Sequence, residues 1–296
     1  MQSGSMQPDC SSRIHVFESP LGLVEHLRSG REQEGSGEGF SPEFQVCLPT
    51  HGLFVWHVAG DEVVGDPNHS LFVTAGERYR LSQPVGGGYA ELIITPDVEL
   101  LAETTRTPVG GLSSHPLFRV RSARVDPAVQ QLGASVLRRR PNGHRDDLRD
   151  EEAMVALLRS TLDAEEPVAR PGGPTGRLIR RTKEHLEGHL ATSLRLADVA
   201  RAVGASPAYL TSVFRRFEGL SLHKYVTQLR LARSLTELPH ATDLTTLAVD
   251  LGFSSHSHFA SAFRNAFHMT PSEFRGCYSP RSVTGGSTRE ARRAGR

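Results

Sequence analysis

Hydrophobic positions change rhythm along the chain. Between about 44 and 102 they come in short runs, FQVCLP, LFVWHVA, SLFVTA and YAELIIT, rich in β-branched and aromatic residues and separated by Gly, Pro, Asp and Asn. Such runs predict strands. The segments at 66–68 (DPN) and 84–88 (PVGGG) read as hairpin turns, so this region predicts a small antiparallel barrel or sandwich. Further on the period lengthens. Asp126-Pro127 has the form of a helix cap followed by proline in the first turn. It predicts a helix to about 140, and a second follows at 146–164 with Met154, Leu157, Leu158 and Leu162 on one face. In the rear third, six segments carry apolar residues at three- and four-residue spacing: 177–191, 196–203, 207–217, 222–238, 244–251 and 256–267. That third reads as all helix.

Punctuation divides the chain. Residues 165–176, EEPVARPGGPTG, hold three prolines and three glycines, which neither a helix nor a strand tolerates in its interior. The reading is a β-rich front domain over 1–164, a linker over 165–176, a helical domain over 177–276, and a disordered basic tail over 277–296. Residues 29–42 read as a mobile loop. The fold class is therefore α+β, a front β-barrel with helices and an all-α rear domain.

Composition narrows the classes. Apolar residues are 38% of the chain and charged residues 23%, enough to bury a core. No apolar run approaches the roughly 18 residues of a membrane span, and the first residues lack the apolar centre of a signal peptide. Cys10, Cys47 and Cys277 are odd in number and far apart, without a CxxC. A disulfide framework or zinc knuckle is not expected, and a reducing cytoplasm fits. The net charge of +1 conceals a split: residues 177–296 hold 18 Lys/Arg against 9 Asp/Glu, so the front is acidic and the rear basic. A basic rear domain suits a polyanionic partner. Lys183 and Lys224 are the only lysines. Arginine favours bidentate phosphate and guanine contacts, although codon bias gives the same excess.

The sharpest signal is an internal repeat. LADVARAVGASPAYLTSVFRRF (196–217) is echoed by LTTLAVDLGFSSHSHFASAFR (244–264). Ala200 and Gly204 match Ala248 and Gly252 at an offset of 48, while Leu210 and Phe214 match Phe259 and Phe263 at 49. One residue is inserted between glycine and second helix. Each copy has the form of a helix-turn-helix: a short helix with a small alanine for close packing, a glycine whose turn needs positive φ, and a serine capping the next helix. The second helices turn Leu210, Val213, Phe214 and Phe217, and Phe259, Ala262, Phe263 and Ala266, inward. Outward they present Ala208, Thr211, Ser212 and Arg215 in the first copy, and Ser257, Ala260, Ser261 and Arg264 in the second, with His256 flanking. Small and basic residues on an exposed helix suit the major groove. The intervening 221–238 is a rod of about 25 Å, suited to hold two reading helices about one DNA turn apart.

With the connecting helix containing Tyr225 and Arg230, and the closing HMTPSEFR (268–275), residues 177–276 resemble the AraC/XylS family of bacterial transcription regulators. The resemblance implies promoter binding by the helices at 207–217 and 256–267. The implied contacts are Ser206, Ala208, Thr211, Ser212, Arg215 and Arg216 in the first copy, and Ser255, His256, Ser257, Ala260, Ser261 and Arg264 in the second. Two features depart from the family pattern: His268 stands where a glycine is usual, and the first reading helix lacks long Gln or Arg at its outward positions. Methyl contacts and DNA shape then weigh more in its readout.

The front domain resembles, more loosely, the cupin-like sensor barrels of such regulators. It implies a small-molecule effector or partner, with Trp56, Phe54 and Phe72 as pocket walls or plain core. The helices near 126–140 and 146–164 would form a homodimer surface or pass the signal on. RNA polymerase is a further candidate partner, and no membrane is involved. The alternative is a metal-binding cupin-type enzyme with an appended nucleic-acid module. Against it, Thr74 and Tyr79 stand where a cupin has proline and a histidine ligand, and His51 and His57 form no HxH. His51, His57 and His69 read as surface or hydrogen-bonded residues. His256 and His258 lie about 200° apart on a helix and cannot share a metal. No catalytic residues, metal or cofactor are expected.

Overall fold

The computed structural model describes residues 11–30, 39–106, 117–118, 120–137, 147–163 and 172–277. The front half is a two-sheet β structure in which every strand pair is antiparallel. Its strands are β1 (Ser11–Ser19), β2 (Gly22–Ser29), β3 (Gly39–Phe40), β4 (Gln45–His51), β5 (Phe54–Val58), β6 (Asp61–Gly65), β7 (His69–Val73), β8 (Arg78–Ser82), β9 (Tyr89–Pro96) and β10 (Ser122–Arg124). One sheet has the order β1-β2-β9-β4-β7-β10 and the other β3-β8-β5-β6. The larger sheet is apolar on both faces. Alternation along β9 sends Ile93 and Tyr89 toward the smaller sheet, where they pack with Phe54, Trp56, Val58 and Leu71. It sends Leu92 and Ile94 to the other side, against α1 (Val98–Thr105), α2 (Pro127–Val136) and α3 (Asp147–Asp163). Trp56 and Phe54 thus fill the space between the sheets, while Phe72 lies on the helical side.

The four strands expected from apolar runs are β4, β5, β7 and β9. The β1–β2 hairpin was not expected, because β1 is an edge strand with a polar, exposed sequence. The two turns read as hairpins are corrected: 66–68 joins β6 to β7 and 84–88 joins β8 to β9, each crossing from one sheet to the other. Asp66 and Asn68 are buried rather than exposed. Asp126 caps α2, accepting the Val129 amide at 3.0 Å, as its sequence predicts. The α3 stripe of Met154, Leu157, Leu158 and Leu162 is buried in its own domain.

The rear half is helical: α4 (Gly173–Gly188), α5 (Leu196–Val203), α6 (Pro207–Glu218), α7 (Leu222–Glu237), α8 (Leu244–Asp250), α9 (His256–Phe267) and α10 (Pro271–Gly276). Here the expected linker is corrected at its end. Residues 173–176 form the first turn of α4, with Pro174 where its missing N–H costs nothing. Residues 164–171 and the expected tail beyond 277 lie outside the described residues.

Two cores share one rod. Tyr225, Val226 and Leu229 of α7 pack with α4–α6, while Leu231 and Leu235 pack with α8–α10. Both repeat glycines adopt positive φ, Gly204 at 71° and Gly252 at 85°. Only Gly252 is crowded: an added Cβ would stand 2.6 Å from the Leu190 carbonyl, whereas Gly204 faces open space. Arg230 explains the crowding, because its guanidinium holds the Leu190 and Thr192 carbonyls at 2.9 and 2.8 Å against that turn. His268 keeps the left-handed turn, φ 56°, at the end of α9 without a glycine. Among the described residues no helix is long and apolar enough to cross a membrane.

These two glycines separate conformational cost from steric cost. Gly204→Ala is expected to destabilise the chain by about 1 kcal/mol, the cost of a left-handed non-glycine residue. Gly252→Ala adds a backbone clash and should cost at least twice that, measured by urea denaturation. Equal losses would refute the close approach.

Candidate nucleic-acid interface

The two helices expected to read DNA, α6 and α9, are built alike. Ser206 caps α6 by accepting the Tyr209 amide, and Ser255 caps α9 by accepting the His258 amide, so both hydroxyl acceptors are engaged by backbone. Beyond the caps, Ala208, Thr211, Ser212, Arg215 and Arg216 of α6 are all exposed. On α9, Ser257, Ser261 and Arg264 are exposed, while His256 and Ala260 are half-buried. Opposite them Leu210, Phe214, Phe259 and Phe263 are fully buried. Val213 is buried too, whereas Phe217, Ala262 and Ala266 are only partly so. Arg216 lies over the Phe217 ring, 5.4 Å from its centroid. His258 stands edge-on to Phe253 and shares a ring nitrogen with Ser254 at 3.0 Å. Tyr209, which sequence reading passed over, is 52% exposed beside Ala208.

Sequence reading also missed how α6 is held from behind. Its last residue, Glu218, is buried at the seam with the β domain. Lys183 of α4 lies 2.9 Å from one Glu218 oxygen and 3.6 Å from Asp66 of the β6–β7 connection. His69 of β7 meets Asp66 at 3.0 Å through Nδ1 and the other Glu218 oxygen at 3.1 Å through Nε2, the latter an ion contact without hydrogen-bond alignment. The Tyr225 hydroxyl donates to Asp66 at 2.6 Å, and the Asn68 amide donates to the Tyr225 carbonyl at 3.2 Å. Arg124 of β10 donates to the Glu218 carbonyl at 2.8 Å. Two acids, a lysine and a histidine thus balance one another out of water, half from each domain. A signal was present: Lys183 follows Ile179 and precedes Leu186 on the apolar face of α4, and Glu218 follows Phe214 on that of α6, where a charge needs a buried partner.

Burial favours the neutral form of each group, and the partners overcome it. Burial raises Asp66, but His69 and Lys183 hold its carboxyl well below the usual range. Burial likewise opposes Glu218, which Lys183 and His69 bring down. For His69, burial and Lys183 act downward, and Asp66 and Glu218 outweigh them to raise it. Lys183 is raised by Glu218 and Asp66 against its burial. The front domain reaches the second repeat too. Gln131 of α2 donates to the Met269 sulfur at 3.6 Å, and Ala134 belongs to the core of α8–α10.

Between the two sheets one group stands apart. Glu91, on the inward face of β9, is 5% exposed, and burial pushes its carboxyl up to about 7 against the charge of Arg13. It has Tyr89 and Ile93 as neighbours along that face. At the edge of the same sheet Arg13 pairs with Glu25 at 3.3 Å. The barrel histidines do not converge: His57 bonds Ser82 at 2.8 Å and His69 belongs to the seam. Among the described residues no group of three or more His, Cys, Asp or Glu is arranged to hold a metal ion.

Lys183→Met removes one partner of a buried ion pair and leaves two acids against a single histidine. It should destabilise the chain by about 3 kcal/mol in chemical denaturation. The pH dependence follows from the directions. Asp66 and Glu218 stabilise fully above their unfolded values near 4, and this is lost as pH falls through their lower folded values. His69 stabilises fully below its unfolded value near 6.5, and this is lost as pH rises through its higher folded value. The seam should therefore be tightest between about pH 5 and 6.5, and His69→Gln should flatten the alkaline side of a stability profile.

Known proteins agree with this architecture. A family model described as an AraC-like ligand binding domain matches residues 22–158, and one described as a helix-turn-helix domain matches 199–276. The regulatory protein PocR of Salmonella typhimurium is 31% identical over 98 residues, 33% of this chain and 32% of its own length. The Msm operon regulatory protein of Streptococcus mutans is 33% identical over 99 residues, 33% of this chain and 35% of its own. The chain thus covers about a third of the length of these curated relatives. The solved structure of ToxT from Vibrio cholerae aligns over 88% of this chain and all of its own at 11% identity and a TM-score of 0.36, a likeness too weak to bear on the fold. A ligand-binding domain of AraC type in front and a duplicated helix-turn-helix behind place the chain in the AraC/XylS family of transcription regulators.

Proposed function

We propose that the protein is a sequence-specific regulator of transcription that binds double-stranded promoter DNA through α6 and α9. The observation that carries this is the pair of repeat helices, each buried on one side and presenting small, polar and basic residues to solvent on the other. In this reading Arg215, Arg216 and Arg264 meet phosphates, and Ala208, Thr211, Ser212, His256, Ser257, Ala260 and Ser261 face base edges. Residues 177–276 are the DNA-binding unit. Residues 1–164 are the sensor for a small-molecule effector. The role is non-enzymatic and its seat is the cytoplasm, where the chromosome is.

The helix α2 supports signal transfer over dimerisation, because it touches both the sheet and the second repeat. RNA polymerase is the natural further partner of a promoter-bound regulator. The seam at Asp66, His69, Lys183 and Glu218 would report the state of the sensor to α6.

The test is selection of bound sequences from a random duplex pool with the full chain, followed by affinity against salt. Binding should fall steeply as salt rises. Arg215→Ala and Arg264→Ala should each weaken it and lower the salt slope by about one. Recovery of no sequence, or affinity indifferent to salt, would refute the reading.

A further inference from the structure

The two reading helices offer different chemistry. On α6 the Thr211 hydroxyl donates to the Pro207 carbonyl at 2.8 Å, so its proton is engaged within the helix. What remains beside it is the Pro207 ring, the Ala208 methyl and the Thr211 methyl, with the exposed Ser212 next along the same groove. Leu196, the first residue of α5, borders the same open groove and is 44% exposed. Its repeat counterpart 48 positions on, Leu244, packs against the second core instead. Arg215 and Arg216 close the groove on its other side. An exposed leucine beside two methyls and a proline ring, flanked by two arginines, adds nothing to the core beneath. The second helix is more polar: Ser257 stands where α6 has Ala208, Ser261 matches Ser212, and His256 stands at its first turn.

Resting on the DNA-binding reading above, we infer that the first helix-turn-helix recognises thymine through its C5 methyl group, with Leu196, Ala208 and Thr211 as the apolar receptor. Major-groove thymine presents that methyl as its distinguishing feature, and apolar side chains select it by contact. Arg215 and Arg216 would hold the backbone phosphates on either side of the contacted step, fixing the helix at the depth where methyls meet.

The experiment replaces each thymine of a selected site, one at a time, by deoxyuridine, which removes the methyl and leaves pairing and every hydrogen-bonding group intact. Full-length protein is used. Loss of one buried carbon should weaken binding about fourfold at one or two positions. Leu196→Ser, an exposed substitution whose melting temperature should match the parent, should erase the thymine–uracil difference at one of those positions and leave the effect of altering the α9 half unchanged. If every deoxyuridine duplex binds within 1.5-fold of its thymine parent, the inference is overturned while DNA binding stands. If methyl effects persist in Leu196→Ser and vanish in Ser257→Ala, they belong to α9, and the assignment is wrong. A failure to bind any duplex overturns the DNA-binding reading, and this inference with it.

Discussion

Four charged groups taken out of water at one place set the terms for the rest of the molecule. Isolated ions are costly in a protein interior, and removing one member of a balanced set is costlier than never having built it. Asp66 and His69 come from the β domain and Lys183 and Glu218 from the helical domain, so each half brings one acid–base pair, and the His69–Glu218 and Lys183–Asp66 contacts join the two pairs across the seam. Hydrophobic contact would tolerate sliding, whereas these pairs fix the register. The Tyr225 hydroxyl and the Arg124 guanidinium add directional bonds across the same seam. The front domain is therefore a part of the surface that positions α6, and its influence on the first reading helix is exerted at that helix's last residue.

The second half depends on this indirectly. α7 is common to both helical cores, with Tyr225 at the seam and Leu235 in the second core. Anything that shifts Tyr225 moves the rod on which α9 is mounted. α2 bears on that second core as well, through Ala134 and Gln131. The relative setting of α6 and α9 is held in the rear domain by α7 and by the Leu190–Thr192 segment that Arg230 holds against the Gly252 turn, and further by α2 of the front domain.

The rear domain was legible in the sequence because its elements are locally determined. Glycine at positive φ, serine caps and a 3.6-residue apolar period leave little freedom, and α5 and α9 begin and end where the pattern places them. The barrel was legible only in its central strands. The polar edge strand β1 has no apolar run to betray it, and Asp66-Pro67-Asn68 has the composition of a surface turn while being packed beneath another domain. Composition reports local preference, and burial against a distant segment overrides it. The seam was missed for the same reason, since no single-residue signal announces a partner over a hundred residues away. Lys183 and Glu218 were nonetheless anomalous on the apolar faces of their helices, and a charge in such a place asks for its counterpart.

The inter-sheet carboxyl of Glu91 completes the chain of constraints. Glu91 pairs in register with Pro49 of β4, and Leu48 and Pro49 help line a narrow apolar cleft between α2 and α7. Those neighbours of the Glu91 strand touch both α2 and the shared rod α7. Contiguity of this kind does not by itself couple two sites; coupling needs an element with two states whose balance both sites bias. The docking seam has the qualities of such an element. It joins two ion pairs, one from each domain, by directional contacts that are made together when the domains dock. A regulator built this way would answer its signal by a change in how firmly the two reading helices are held in one register, with no alteration to the residues that read.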